Sequence, residues 1–88
     1  MIVEFSAALR RFVDGQEKVT ANATTLSGLV EELSDKYPEL NNTVITPNKE
    51  IMSFITLFID GRNVIDASQV VEIPEGAVVS FVPSIAGG

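Results

Sequence analysis

Alternation opens the chain. Met1, Val3 and Phe5 fall on one side of an extended segment and Ile2, Glu4 and Ser6 on the other, which predicts a strand over residues 1–6. Residues 7–13 carry no clean period and read as irregular. Asp14-Gly15 is a turn pair, after which residues 17–21, with Val19 and Thr20, return as a second strand in a loose hairpin. The period then changes. Leu26, Leu29, Val30, Leu33 and Tyr37 fall at i, i+3, i+4, i+7 and i+11, an apolar stripe from which Glu31, Glu32 and Asp35 point away. A helix over about residues 25–37 follows, capped by Thr24 or Thr25 and ended by Pro38, whose ring pushes Tyr37 out of the helical region. Gly28 in its first turn has two readings, close approach of the helix to a sheet or a tolerated first-turn glycine.

Residues 39–53 are polar and rich in turn signals, Asn41-Asn42, Thr46-Pro47-Asn48 and Lys49-Glu50, and read as a surface connection. Residues 54–59 are strongly β-prone, and Asp60-Gly61 is a tight-turn pair that folds residues 62–65 back antiparallel. Residues 66–71 read as irregular or a single 3₁₀ turn, and Pro74-Glu75-Gly76 as a further turn. The last strand, 77–82, is apolar on both sides except at Ser80, which suits an interior position. One helix covers such a set of strands only if the sheet wraps it. The expected fold is therefore α+β, a mixed curved sheet around one main helix with the first and last strands central and parallel: a β-grasp, as in ubiquitin. Residues 1–83 would form this domain and residues 84–88 a flexible tail ending in Gly87-Gly88.

Composition narrows the chemistry. Eighty-eight residues with 45% hydrophobic content suffice for one small core. No apolar run reaches the roughly 18 to 20 residues of a membrane span, and the N-terminus has no secretory pattern, so a cytoplasmic protein is expected. Six basic against twelve acidic residues, without a basic block, argue against nucleic acid and anionic membranes as partners. The acidic balance serves solubility and would also suit a partner with a basic docking face. The absence of Cys and His removes zinc sites, Cys nucleophiles, Ser-His-Asp triads and iron-sulfur clusters. Ser6, Ser27, Ser53 and Ser80 lack a neighbouring base, and Glu31-Glu32 and Glu72/Glu75 fit solvated surface better than an acid/base pair. No catalytic residue, metal site or bound cofactor is expected within the chain.

Several of these features coincide with a known family. The β-grasp order, Phe5 followed by Ala8-Leu9-Arg10, Thr25-Leu26 opening the helix, Asp60-Gly61-Arg62, Pro74-Glu75-Gly76 and the end Phe81-Val82-Pro83-Ser84-Ile85-Ala86-Gly87-Gly88 together resemble the ubiquitin-like sulfur carriers of ThiS and MoaD type. The most specific part is a last strand, a proline and a diglycine in that order. The resemblance implies that a partner adenylating enzyme, of the ubiquitin-activating type, uses ATP and Mg to couple the Gly88 carboxylate to AMP. A sulfur donor system then converts it to a thiocarboxylate, and a biosynthetic enzyme accepts the sulfur. The chain is longer than thiamine-pathway carriers usually are, and its Ala-Gly-Gly end resembles the molybdopterin-synthase small subunit or the carrier of a cysteine-forming pathway. The long connection at 39–53 and Ser84-Ile85 lean toward the cysteine or secondary-metabolite type, with molybdopterin and thiamine-type pathways left open.

Physical chemistry agrees with the residue choice at the end. A terminal carboxylate is ionised at neutral pH and resists direct substitution, so it needs activation. Gly88 would carry the reaction, and Gly87, without a Cβ, lets the backbone thread a narrow channel. Pro83, Ser84, Ile85 and Ala86 would follow it into the partner's active site, residues 84–88 spanning about 16 to 18 Å when extended. Phe58 is read as core first and as partner interface second, with Arg62, Arg10 and Arg11 as candidates to meet acidic partner residues. Two alternatives remain at this point: a protein modifier joined to lysine through Gly88, and a β-grasp binding module with an inert end.

Overall fold

The computed structural model describes residues 1–84. Five strands form one sheet in the order β2-β1-β5-β3-β4: β1 Ile2–Phe5, β2 Lys18–Thr20, β3 Ile55–Ile59, β4 Arg62–Val64 and β5 Val78–Pro83. β1 runs parallel to β5, pairing Val3 with Val79 and Phe5 with Phe81, and every other pairing is antiparallel. The first and last strands are thus neighbours near the centre, as the β-grasp expectation requires. Among the described residues no helix is long and apolar enough to cross a membrane.

The helix α1, Leu26–Lys36, packs its predicted stripe against this sheet, burying Leu26, Leu29, Val30 and Leu33. The sheet answers with Val3 and Phe5 of β1, Val19 of β2, Val79 and Phe81 of β5, and Ile55 and Leu57 of β3, all buried. Phe5 and Phe81 face each other across the parallel pair with ring centroids 5.4 Å apart, a tilted contact that adds to what their area contributes. Thr25 is the N-cap, its hydroxyl accepting from the Gly28 amide at 3.1 Å. A Cβ on Gly28 would lie 3.0 Å from that hydroxyl. Crowding at the cap, rather than close approach to the sheet, is what a side chain there would meet. Behind the cap, the Glu32 carboxylate accepts from the Asn22 and Ala23 amides, both at 3.0 Å, tying the approach segment to the helix.

Two segments differ from expectation. Residues 7–13, read as irregular, form a 3₁₀ helix, Ala7–Val13, that buries Leu9 and Val13 and ends where Asp14 turns left-handed with φ 57°. Leu9 and Val13 stand four residues apart, and the segment contains no Gly or Pro to break it. The region 39–53, read as a surface connection, supplies core instead. Leu40, Val44 and Ile45 are 0%, 1% and 2% exposed. The Leu40 carbonyl lies within bonding distance of the amides of Thr43, Val44 and Ile45, and bridges join Asn41 to Ile45 and Ile45 to Ile51. Three apolar residues scattered among polar ones show no period, because a looped backbone turns each inward separately. Ser34, the buried polar side chain of α1, fastens this loop, donating to Asn41 Oδ1 at 2.7 Å and accepting from Lys49 Nζ at 2.5 Å.

The loop's role in the core is testable. Ile45→Ala is expected to lower the unfolding free energy in urea by about 2 to 5 kcal/mol, whereas a surface-loop substitution would stay within about 0.5 kcal/mol.

Candidate functional site

Because β5 is the middle strand, the chain leaves the domain from the centre of the sheet's end. Backbone groups along a strand point alternately to its two neighbours. Val78 exchanges bonds with Asp60 beyond β3, its carbonyl accepting from the Asp60 amide at 2.8 Å, so the even-numbered residues of β5 address β3. The odd-numbered ones address β1: the Phe81 carbonyl accepts from the Ser6 amide at 3.1 Å. Pro83 therefore turns its nitrogen toward a side that β1 has already left, since β1 ends at Phe5. A proline in a central strand usually costs a ladder bond; here no partner stands opposite the missing N–H. Pro83, expected just beyond the last strand, is its final residue.

Ser84, expected as the first residue of a free tail, is held by the sheet. Its amide donates to the Phe54 carbonyl at 2.6 Å, and its hydroxyl lies 2.7 Å from that of Thr56. Ile85, Ala86, Gly87 and Gly88 lie outside the described residues.

The other candidate feature is the sheet face that α1 leaves open. Alternation and register place a row of side chains on it, Lys18, Glu4, Ser80, Phe58 and Asn63, with Val82 and Thr56 on one side and Ile2 and Val78 on the other. Lys18 and Glu4 approach to 3.9 Å there. Ile2 is 40% exposed, while Phe58, Val78 and Val82 are half-buried. The first reading of Phe58, as core, is thereby corrected. Its ring is outside the buried cluster, because Leu57 and Ile55 take the helix side of β3 and alternation sends Phe58 the other way.

Phe58 and Arg62 do not share a surface. Asp60-Gly61 is a two-residue turn, so Arg62 stands opposite Ile59 and Asn63 opposite Phe58; Arg62 belongs to the helix side at the sheet edge. The turn length alone carries that information, and alternation from it would have separated the two residues. Arg10 and Arg11 are engaged locally. Arg10 donates to the Phe5 carbonyl at 3.1 Å and meets Glu17 at 3.5 Å, while the Arg11 guanidinium lies 4.9 Å from the Phe12 ring centroid. Thr56 and Phe54, which hold Ser84, carried no signal beyond β propensity.

A family model described as ThiS family matches residues 3–88, from the first strand to the terminal glycine. The chain belongs to the ThiS family. It is, in that sense, a ubiquitin-like sulfur carrier of ThiS and MoaD type. A relative from Archaeoglobus fulgidus, named "Putative sulfur carrier protein", is 32% identical over 75 residues, which cover 84% of this chain and 85% of the relative. Among solved structures, the small archaeal modifier protein 1 of Methanosarcina acetivorans superimposes with a TM-score of 0.81 at 20% identity, covering 99% of this chain and 94% of that one. A chain of the Amycolatopsis orientalis BexX/CysO complex does so with a TM-score of 0.80 at 18% identity, covering 99% and 98%. At such identities the likeness establishes the ubiquitin-like β-grasp fold that this ThiS-family chain shares with them.

The placement of Pro83 makes a specific prediction. Pro83→Ala in this ThiS-family chain should change stability by less than about 1 kcal/mol and leave the Ser84 amide protected from hydrogen exchange. Loss of that protection would show that the ring itself holds the strand end.

Proposed function

We propose that the chain is a co-substrate whose Gly88 carboxylate is activated and loaded with sulfur by partner enzymes. The observation that carries this reading is the extent of the family match, which runs through Gly87 and Gly88. The exit of β5 from the middle of the sheet supports it, since residues beyond Ser84 start from the domain's end rather than from one of its edges.

In the first step a carboxylate oxygen of Gly88 attacks the α-phosphorus of MgATP in the partner, pyrophosphate leaves, and an acyl adenylate forms. In-line positioning and cationic stabilisation of the phosphoryl oxygens are the partner's tasks. Sulfide, or its equivalent from a persulfide with a reductant, then adds to the acyl carbon and expels AMP, leaving a thiocarboxylate. That group donates sulfur to a biosynthetic enzyme; cysteine-forming and secondary-metabolite pathways fit the chain's features best. Catalytic groups belong to the partners, so the chain acts as a carrier and has no enzymatic activity of its own.

The activating enzyme must also recognise the folded body. The open face suits that contact: Ile2, Val78, Val82 and Phe58 offer an apolar surface around Ser80, with the Lys18–Glu4 pair beside it. Val82 places this surface two residues from Ser84, so a partner seated on it has the tail root within reach.

Intact-mass measurement on protein purified from its native host tests the reading. The expected product carries one sulfur in place of one oxygen, confined to the peptide that ends in Gly88. Branched peptides linking Gly88 to lysine would instead make the chain a protein modifier. A chain lacking Gly88 that still supports pyrophosphate release by the cognate enzyme would overturn both.

A further inference from the structure

The contacts that hold Ser84 lie where the tail begins. Thr56 stands opposite Val82 in the β3–β5 ladder, so Thr56, Val82 and Ser84 occupy the same face as Phe58. Ser84 is held by two bonds, one to β3 and one to the residue just before it: its amide donates to the Phe54 carbonyl at 2.6 Å and its hydroxyl lies 2.7 Å from Thr56 Oγ1, either hydroxyl being able to donate. The ladder thus continues one residue past Pro83, which itself donates nothing. A side-chain bond takes over at the position where the strand would otherwise come away from its neighbour.

We infer that Thr56 is a positioning residue for activation of the chain end: through its hydroxyl it clasps Ser84 and fixes the point and direction from which residues 85–88 depart. The inference rests on the sulfur-carrier reading. Clasped at Ser84, the chain has about 13 to 14 Å of fully extended reach to the Gly88 carboxylate, where release of Ser84 would add about 3.5 Å and a second set of exit directions. A channel that must hold a carboxylate in line with an α-phosphate tolerates little variation of that kind.

The exposure of the pair explains why it serves binding more than folding. In the free chain the bond between the two hydroxyls is open to solvent, with Thr56 half-buried and Ser84 exposed, and water competes for it. A partner covering the open face removes that water. The two hydroxyls then satisfy one another, and deleting one leaves the other unpaired in a dry interface. Thr56 therefore acts at the moment of docking, with little effect on the isolated domain.

Steady-state pyrophosphate release by the adenylating enzyme of the same genome, measured against carrier concentration, tests this with Thr56→Val, Thr56→Ser, Ser84→Ala and the Thr56→Val/Ser84→Ala pair. Urea unfolding of each variant is run alongside. Thr56→Val should raise KM for the carrier about tenfold with kcat within about twofold and an unchanged urea midpoint. Thr56→Ser should restore the wild-type KM. The double variant should be no worse than Thr56→Val alone, because both substitutions break the same bond. A Thr56→Val chain with wild-type KM, while the wild-type chain releases pyrophosphate in a Gly88-dependent manner, overturns the positioning role and leaves the carrier reading intact. A raised KM that Thr56→Ser fails to restore also overturns it, by assigning the effect to packing. A wild-type chain that supports no Gly88-dependent release overturns the carrier reading and the positioning role with it.

Discussion

The parallel pairing of the first and last strands is the contact on which the rest of the molecule depends. β1 and β5 are separated by nearly the whole chain, and Val3, Phe5, Val79 and Phe81 bury their side chains together along the pair. Closing so long a loop is paid in entropy before the non-local pairing contacts are gained, and apolar burial on the helix side offsets it. Once the pair is set, little freedom is left elsewhere. β2 pairs on one side and the β3–β4 hairpin on the other, while α1 covers the face where their buried apolar residues meet.

The same pairing determines the geometry of the functional end. β5 lies between β1 and β3, but β1 stops at Phe5 while β5 continues to Pro83. Beyond that point β3 alone holds the chain. Pro83 occupies a position that needs no donor, and Ser84 is secured by the Phe54 carbonyl and the Thr56 hydroxyl. With one helix available, the opposite face of the sheet stays uncovered. Its half-buried Phe58, Val78 and Val82 lie along the strands that lead to the tail root, so body recognition and tail delivery share one side of the molecule.

Much of the fold was legible from local patterns. The 3.6-residue stripe, the Thr25 cap, Pro38, the Asp60-Gly61 turn and the apolar last strand each report on a handful of neighbouring residues, and each lies where it was expected. The 3₁₀ helix at Ala7–Val13 and the loop around Leu40, Val44 and Ile45 were not legible in the same way. Seven residues of tight helix have no room for a repeating stripe. The loop residues reach the core through irregular backbone, Asn42 and Lys49 taking left-handed φ values of 68° and 61°. Of the candidate site, Pro83 and Ser84 were identified by position, yet their attachment to β3 was invisible, since nothing near Thr56 in sequence marks it as Ser84's partner.

By itself the sequence determined the main helix, the five strands, the fold class, the family and the terminal diglycine, because periodicity, turn chemistry and a short terminal motif are all written in neighbouring residues. Tertiary structure alone decided which residues the strands bring side by side. Phe58 went to the open face, three residues of one polar-looking loop went into the core, and Ser84 went onto the ladder. The physical reason is common to these cases. A residue's conformation is largely set by its own segment, whereas its face, burial and partners are set by hydrogen bonds and packing to segments distant along the chain.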